Sequence, residues 1–351
     1  MGSQSKVRVG IVLPESYYGE EEWRNAETAL QYAEEAASKG VKLLLYPEGY
    51  PGPATGPLDN PNYPFSCRDK LAEAAQRHDM FIIAGDIIES EIKGANQLSL
   101  RMWSPEGKEV ACYFRQQPDT PALNAYLYDG KAHLIPGNKP CVVETPFGRV
   151  GLQVCSELFV PELVRLQMLE GAEIIVSPVH GLHNKNSFDP DSLRDTWHCI
   201  GRSRAAENLM YVLVTQNLYK EQSIEYPEQM MSGAFVAGPE NMVARLETPG
   251  VLAAELDMER LRFLRQRNYD EKNLSKFEDT NEKLLGCRPG QLYERYPDLY
   301  KKLAEPSEYS FNYNYWRDGL DTWKESFKRI YKEDYDRILS ESDNTFRFQK
   351  T

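Results

Sequence analysis

A cysteine and a glutamate stand where this chain could do chemistry. Arg149-Val-Gly-Leu-Gln-Val-Cys155-Ser-Glu-Leu runs mostly apolar residues into a cysteine and then turns polar. Apolar residues at helical spacing resume in Val160-Pro-Glu-Leu-Val-Arg-Leu-Gln-Met-Leu. This pattern predicts a buried strand that delivers a small reactive side chain to its C-terminal end, just before a helix. α/β folds place their chemistry there, and a helix N-terminus with a neighbouring base would activate a thiol. A buried core cysteine is the competing reading. Tyr46-Pro47-Glu48-Gly49-Tyr50 ends another apolar strand with a carboxylate, which alone could equally be a surface turn residue. In a two-sheet fold both strand ends can face one cleft, where a partly desolvated carboxylate has a raised pKa and serves as a base.

The elements that must position these residues alternate in type. Val7–Leu13 is a strand and Glu20 to Ser38 an amphipathic helix closed by Gly40. Val41–Tyr46 is a strand, Arg68 to His78 a helix and Met80–Gly85 a strand. Gln97–Trp103 and Glu109–Arg115 flank the turn Ser104-Pro-Glu-Gly-Lys108. After Cys155 the alternation returns: helix from Pro161 to Glu170, strand Ala172–Ser177, helix Asp191 to Asn208, strand Met210–Thr215. A final pair, Gly233–Ala237 and Val243–Leu246, surrounds Gly238-Pro239-Glu240-Asn241. Two sheets, each covered by helices on one side, make a four-layer α-β-β-α sandwich of the α/β class, forming one domain over residues 1–265. Residues 266–351 lose the strand alternation and are rich in Tyr, Trp and charge. They are expected to form a partly helical extension packing on the domain or on a neighbouring subunit.

At 351 residues and 41% hydrophobic content the chain can bury a substantial core, and its net charge of −12 argues against nucleic acid or an anionic membrane as partner. No apolar run approaches the roughly 18 residues needed to span a bilayer, and the N-terminus carries no apolar signal-peptide stretch. The six cysteines are widely spaced, without CxxC or zinc spacing. These features predict a cytoplasmic protein with free thiols and no structural metal.

An ordered series of segments resembles the nitrilase (carbon-nitrogen hydrolase) superfamily over roughly residues 6 to 260. In order these are Pro47-Glu48, Gly107-Lys108, Ile135-Pro136-Gly137-Asn138 and Thr145-Pro-Phe-Gly-Arg-Val-Gly-Leu-Gln-Val-Cys155. Then come Pro161-Glu162-Leu163, Arg204-Ala-Ala-Glu-Asn208, and Ser232-Gly233 before Gly238-Pro239. The resemblance implies a Glu, Lys and Cys catalytic set. Glu48 would be the general base and Cys155 the nucleophile on an amide, nitrile or carbamoyl carbon. Ammonia or an amine would leave from a thioester that water then hydrolyses. It implies no metal or organic cofactor, a small-molecule substrate, and assembly as a homodimer or larger homo-oligomer. The backbone N–H of Ser156 would be an oxyanion donor.

At the position of the family's lysine the strand instead reads Ala111-Cys-Tyr-Phe-Arg115-Gln116-Gln117. Counting from Gly107-Lys108 places Arg115 there; reading the family's Arg-Lys pair directly places Gln116 there. Arg115 keeps the charge but holds its proton, whereas Gln116 offers only a dipole. Lys131 could fold back, and Asp129 is the acid nearest to where many members carry a second glutamate. His180 and Tyr50 are candidate substrate contacts, as is Glu157, which could equally cap the following helix. His183 follows His180 in the same loop, and Phe159 is a candidate pocket wall, while Arg204 and Glu207 read as structural. Three functional classes follow: a thiol hydrolase of non-peptide C–N bonds, an acyl-transferring or otherwise diverged enzyme of the same fold, and an inactive binding protein retaining that fold.

Overall fold

The first apolar run becomes β1 (Lys6–Leu13), buried from Val9 to its end. The computed structural model describes residues 4–17, 19–53, 65–89, 95–116, 133–134, 137, 139–181, 190–220, 230–266 and 295–304. Two compact units divide these residues. The first holds those within Met1–Ile87, Ser99–Tyr113 and Pro140–Gly290; the second holds those within Ile88–Leu98, Phe114–Lys139 and Gln291–Thr351.

In the first unit, β2 (Glu15–Ser16) is a short strand after β1. The helix expected from Glu20 starts as a 3-10 turn (Gly19–Arg24) and becomes α1 at Asn25–Ser38. The Asn25 side chain bonds both the N–H and the C=O of Tyr17, tying the start of α1 back to the preceding chain. Next come β3 (Leu43–Leu45), α2 (Arg68–His78), β4 (Phe81–Glu89), β5 (Ala95–Trp103) and β6 (Glu109–Phe114). The alanine face of α1 (Ala29, Ala33, Ala36) lets its backbone approach Leu44, Tyr46 and Tyr50 closely, with Leu71, Ala74 and Ala75 of α2 completing the layer.

The second half supplies the other sheet. A hairpin of β8 (Val142–Thr145) and β9 (Gly148–Leu152) enters it, the first of these strands being absent from the sequence reading. There follow α3 (Pro161–Leu169), β10 (Ile174–Val179), α4 (Pro190–Asn208) and β11 (Tyr211–Gln216). β12 (Leu218–Tyr219), β13 (Ala234–Ala237) and β14 (Met242–Leu246) complete the set. The sheet order is β14-β13-β11-β10-β9-β8, with β9, β10 and β11 parallel. Every residue of β10 and β11 is buried, as expected of strands covered on both faces. Gly151 is required here: a Cβ would meet Ile175 Cδ1 at 2.5 Å and Gln167 Oε1 at 2.6 Å. Its bareness lets Gln167 of α3 reach over and donate to the Leu152 carbonyl at 2.7 Å.

The sequence reading also missed β15 (Gly250–Asp257), which returns to the first sheet and pairs antiparallel along the whole of β1, followed by α5 (Met258–Gln266). The first sheet runs β15-β1-β3-β4-β5-β6, with β1, β3 and β4 parallel. The sheets meet through apolar faces and through the Thr215 hydroxyl, which donates to the Val12 carbonyl. With α1 and α2 on one side and α3 and α4 on the other, the first unit is the expected four-layer α-β-β-α sandwich.

In the second unit, β7 (His133–Leu134) pairs in parallel with Ala95 and Asn96 of β5. The Arg115 N–H donates to Leu98 at 3.0 Å, and the Gly137 N–H to Arg115 at 2.8 Å. Arg265 lies in the last turn of α5. Of the extension expected over 266–351, only Gln266 and residues 295–304 are described; those last carry a short helix at Pro297–Tyr300. Among the described residues no helix is long and apolar enough to cross a membrane, and no group of three His, Cys, Asp or Glu side chains could hold a metal ion.

Candidate active site

The C-terminal ends of the parallel strands in both sheets carry a group of buried and half-buried polar residues. Ser16 follows β1, Glu48 follows β3, Cys155 follows β9, His180 follows β10 and Asn217 follows β11. Asn217 gathers three of the others. Its Nδ2 donates to the Glu48 carbonyl at 3.0 Å and to the His180 carbonyl at 2.9 Å, and its Oδ1 accepts from the Ser16 hydroxyl at 2.7 Å. Asn217 is buried. Gly181 makes room for it: a Cβ there would lie 2.5 Å from the Asn217 carbonyl oxygen, and the residue sits at φ +95. Tyr219 adds a hydroxyl to the same corner, 3.1 Å from the His180 carbonyl and from its ring Nδ1.

Cys155 is held to the same strand end. The Ser177 hydroxyl, within β10, donates to the Cys155 carbonyl at 3.1 Å. The cysteine opens a 3-10 turn, Cys155–Phe159, and the α-helix expected from Pro161 starts there. Cys155 has φ +54, a left-handed backbone conformation that is uncommon for a residue with a side chain. That conformation costs roughly 1–2 kcal/mol, so neighbouring contacts must enforce it. Glu157 supplies them. Its Oε2 accepts the Val154 N–H at 2.8 Å, and both its oxygens lie 2.8 Å from the Tyr113 hydroxyl. Each hydrogen bond to a carboxylate contributes roughly 1.5–3 kcal/mol, enough to offset the strain.

Both predicted chemical groups are nearly closed off: Glu48 is 3% and Cys155 6% exposed. Asn217 fastens the backbone of the Glu48 turn, and Ser177 that of the Cys155 turn. Ser156 and His180 are half-buried beside them. Glu157 is fully buried, so its place is beneath the cysteine turn rather than on a substrate-facing wall. Tyr50 also differs from expectation. The turn at Glu48-Gly49 reverses the chain and sends Tyr50 into the core under α1, fully buried, stacked on Tyr46 at 5.5 Å and 2.8 Å from the Thr28 hydroxyl. Burial raises its phenol far above the usual range. Phe159 packs edge-on against Trp197 of α4 with ring centroids 4.7 Å apart, and remains partly exposed. Arg204 is structural, as its sequence context suggests: it donates to the carbonyls of Leu158 and Phe159 and pairs with Glu207. Arg115, buried, and Gln116, half-buried, lie in the second unit directly after β6. Lys131, Asp129 and His183 lie outside the described residues.

Asn217, Ser177 and Tyr113 were not singled out from the sequence. Each acts through partners tens to hundreds of positions away, and no local pattern marks them. Asn217 sits directly after a buried strand, as Cys155 and Glu48 do, and that shared placement is the one signal that would have found it.

Known proteins agree with this architecture. Residues 8–266 match the carbon-nitrogen hydrolase family. Omega-amidase NIT2 of Homo sapiens is 24% identical over 248 residues, 69% of this chain and 86% of that protein. Deaminated glutathione amidase of Synechocystis is 26% identical over 259 residues, 69% of this chain and 91% of that one. Among solved structures, Nit3 of Saccharomyces cerevisiae, a nitrilase superfamily member, superposes with a TM-score of 0.62 at 21% identity, over 79% of this chain and all of that one. An amidase from Nesterenkonia gives 0.58 at 18% identity, over 79% and 98%. A family match across well over half of the sequence, on a sandwich with buried acid and thiol at its strand ends, makes this chain a member of the carbon-nitrogen hydrolase family, an enzyme of the amidase/nitrilase type.

Proposed function

We propose that the chain hydrolyses the C–N bond of a small amide through a Cys155 thioester, with Glu48 as general base. What supports this reading is a buried carboxylate and a buried thiol, each just past a parallel strand end, the Cys155 turn bonded to Ser177 of β10 and the Glu48 turn to Asn217, which also holds the His180 carbonyl. Glu48 takes the thiol proton as sulfur attacks the carbonyl carbon. The tetrahedral intermediate collapses, the proton passes to the leaving nitrogen, and ammonia departs. Water then attacks the thioester, again giving its proton to Glu48; the C–S bond breaks, the thiolate takes that proton back and the carboxylic acid leaves. The Ser156 N–H is the proposed backbone donor to the oxyanion, and half-buried His180 the proposed substrate contact. Arg115 is assigned the cationic role on sequence counting and burial. Its fixed positive charge would stabilise the oxyanion without exchanging a proton.

Amides are placed ahead of nitriles and N-carbamoyl compounds because the relatives at 24% and 26% identity are named as amidases. We further propose a homodimer or larger assembly in the cytoplasm. The test is ammonia release from a panel of small aliphatic amides, nitriles and N-carbamoyl compounds. Release from amides that disappears in Cys155→Ala supports the reading, and release that persists in that variant refutes it. Light scattering on the purified chain decides the assembly.

A further inference from the structure

We propose that Glu157 and Tyr113 form a positioning pair that locks the Cys155 turn in its left-handed conformation, and that this lock, not substrate contact, is what Glu157 contributes. The proposal rests on the reading of Cys155 as nucleophile and adds to it two residues that act through the cysteine.

The sheet ladder ends where the lock begins. The Gln153 N–H still bonds to Val176 of β10 at 3.0 Å, but the next N–H, that of Val154, turns away to the Glu157 carboxylate at 2.8 Å. The Glu157 N–H returns to the Val154 carbonyl at 3.2 Å, closing the turn around Cys155 from both sides. Glu157 has no exposed surface, so it has no face to present to a ligand. A further donor comes from across the sandwich. Tyr113 is a residue of β6 in the first sheet, 2% exposed, and its hydroxyl lies 2.8 Å from both carboxylate oxygens. The cysteine turn of the second sheet is thereby tied to the sheet that carries Glu48. A lock of this kind fixes where the sulfur stands relative to its base, and a displacement of about 1 Å in such a pair costs on the order of a hundredfold in rate.

Alkylation of Cys155 by iodoacetamide, followed by peptide mapping, reads sulfur position and activation without a substrate. Tyr113→Phe removes one hydroxyl and keeps the ring; Glu157→Gln keeps the shape and one acceptor oxygen. Both are expected to slow Cys155 alkylation and kcat for amide hydrolysis by tenfold to a hundredfold, at temperatures well below melting, with KM unchanged. Glu157→Asp should recover part of the Glu157→Gln loss. Alkylation within twofold of the parent in both variants overturns the lock, even if melting temperatures fall. A raised KM with unchanged alkylation overturns it as well, because it returns Glu157 to the substrate. In the parent chain, Cys155 reacting no faster than exposed Cys199 sinks the nucleophile reading and the lock together. A fast parent with fast variants sinks the lock alone.

Discussion

Cys67 and Cys155 are both buried thiols next to a helix or turn, and they differ in what surrounds the sulfur. Cys67 stands just before α2, 3% exposed, and burial pushes its thiol up to about 12, with the Asp86 and Glu22 carboxylates acting in the same direction and Lys70 against it. It borders a small space also lined by Gly52, Arg68, Asp86, Arg101 and Trp103. None of those residues belongs to the Glu48–Cys155 cluster. The charges there are spent on one another: Asp86 accepts from Arg68 and from the Ser99 hydroxyl, and Arg101 pairs with Glu109. Cys155 instead closes a strand in a left-handed turn that protein contacts enforce, at the end of the sandwich where Glu48 also lies. Burial alone silences a thiol; burial at a strand end with a proposed base makes one a candidate nucleophile.

The contrast breaks most sharply by deletion. Cys155→Ala is expected to remove amide turnover to background, while Cys67→Ala leaves kcat/KM within about twofold, both read as ammonia release. Glu48→Gln comes next, lowering kcat by roughly 10²–10⁴-fold; a variant as active as the parent would show that another group takes the proton. Arg115→Gln should cost on the order of 10²-fold in kcat, with Arg115→Lys recovering most of it, because a cation is what the oxyanion needs. Asn217→Ala should lower kcat by about tenfold through the displaced Glu48 turn, and equal losses in kcat and in thermal stability of the remote α2 would argue for general loosening instead. The smallest effect sharpens the comparison from the Cys67 side. Its folded value lies above its ordinary 9.0, so the fold holds a proton that the unfolded chain releases. Stability tied to Cys67 is therefore complete below pH 9 and is lost as pH rises towards 12. Melting temperatures across that window should fall less steeply in Cys67→Ala than in the parent.

Much of this was legible in the chain because punctuation is local. Gly40, Pro47 and the Ser104–Lys108 turn bound their elements, and α2 runs from Arg68 to His78 as its spacing predicts. Glu48 and Cys155 stood out because each interrupts an apolar run. What escaped was long-range. β15 has a mixed pattern, and its partner β1 lies some 240 residues earlier, so nothing nearby announces it as a strand. Tyr50 reads as a candidate substrate contact beside Glu48, yet a two-residue turn is enough to send neighbours to opposite faces of a sheet. Glu157 could be read as a helix cap or as a substrate contact; its bonds to the Val154 N–H and to the Tyr113 hydroxyl, 44 positions away, favour a place within the turn.

The closing role of β15 has a consequence for biosynthesis. Strand β1 leaves the ribosome early, but one of its two neighbours is not translated until Gly250. Until then an apolar strand keeps an unpaired edge, the feature that invites association with other chains. Ribosome-stalled fragments ending before Gly250 should accordingly recruit holdase chaperones, and release should come once the segment through Asp257 has emerged from the ribosome.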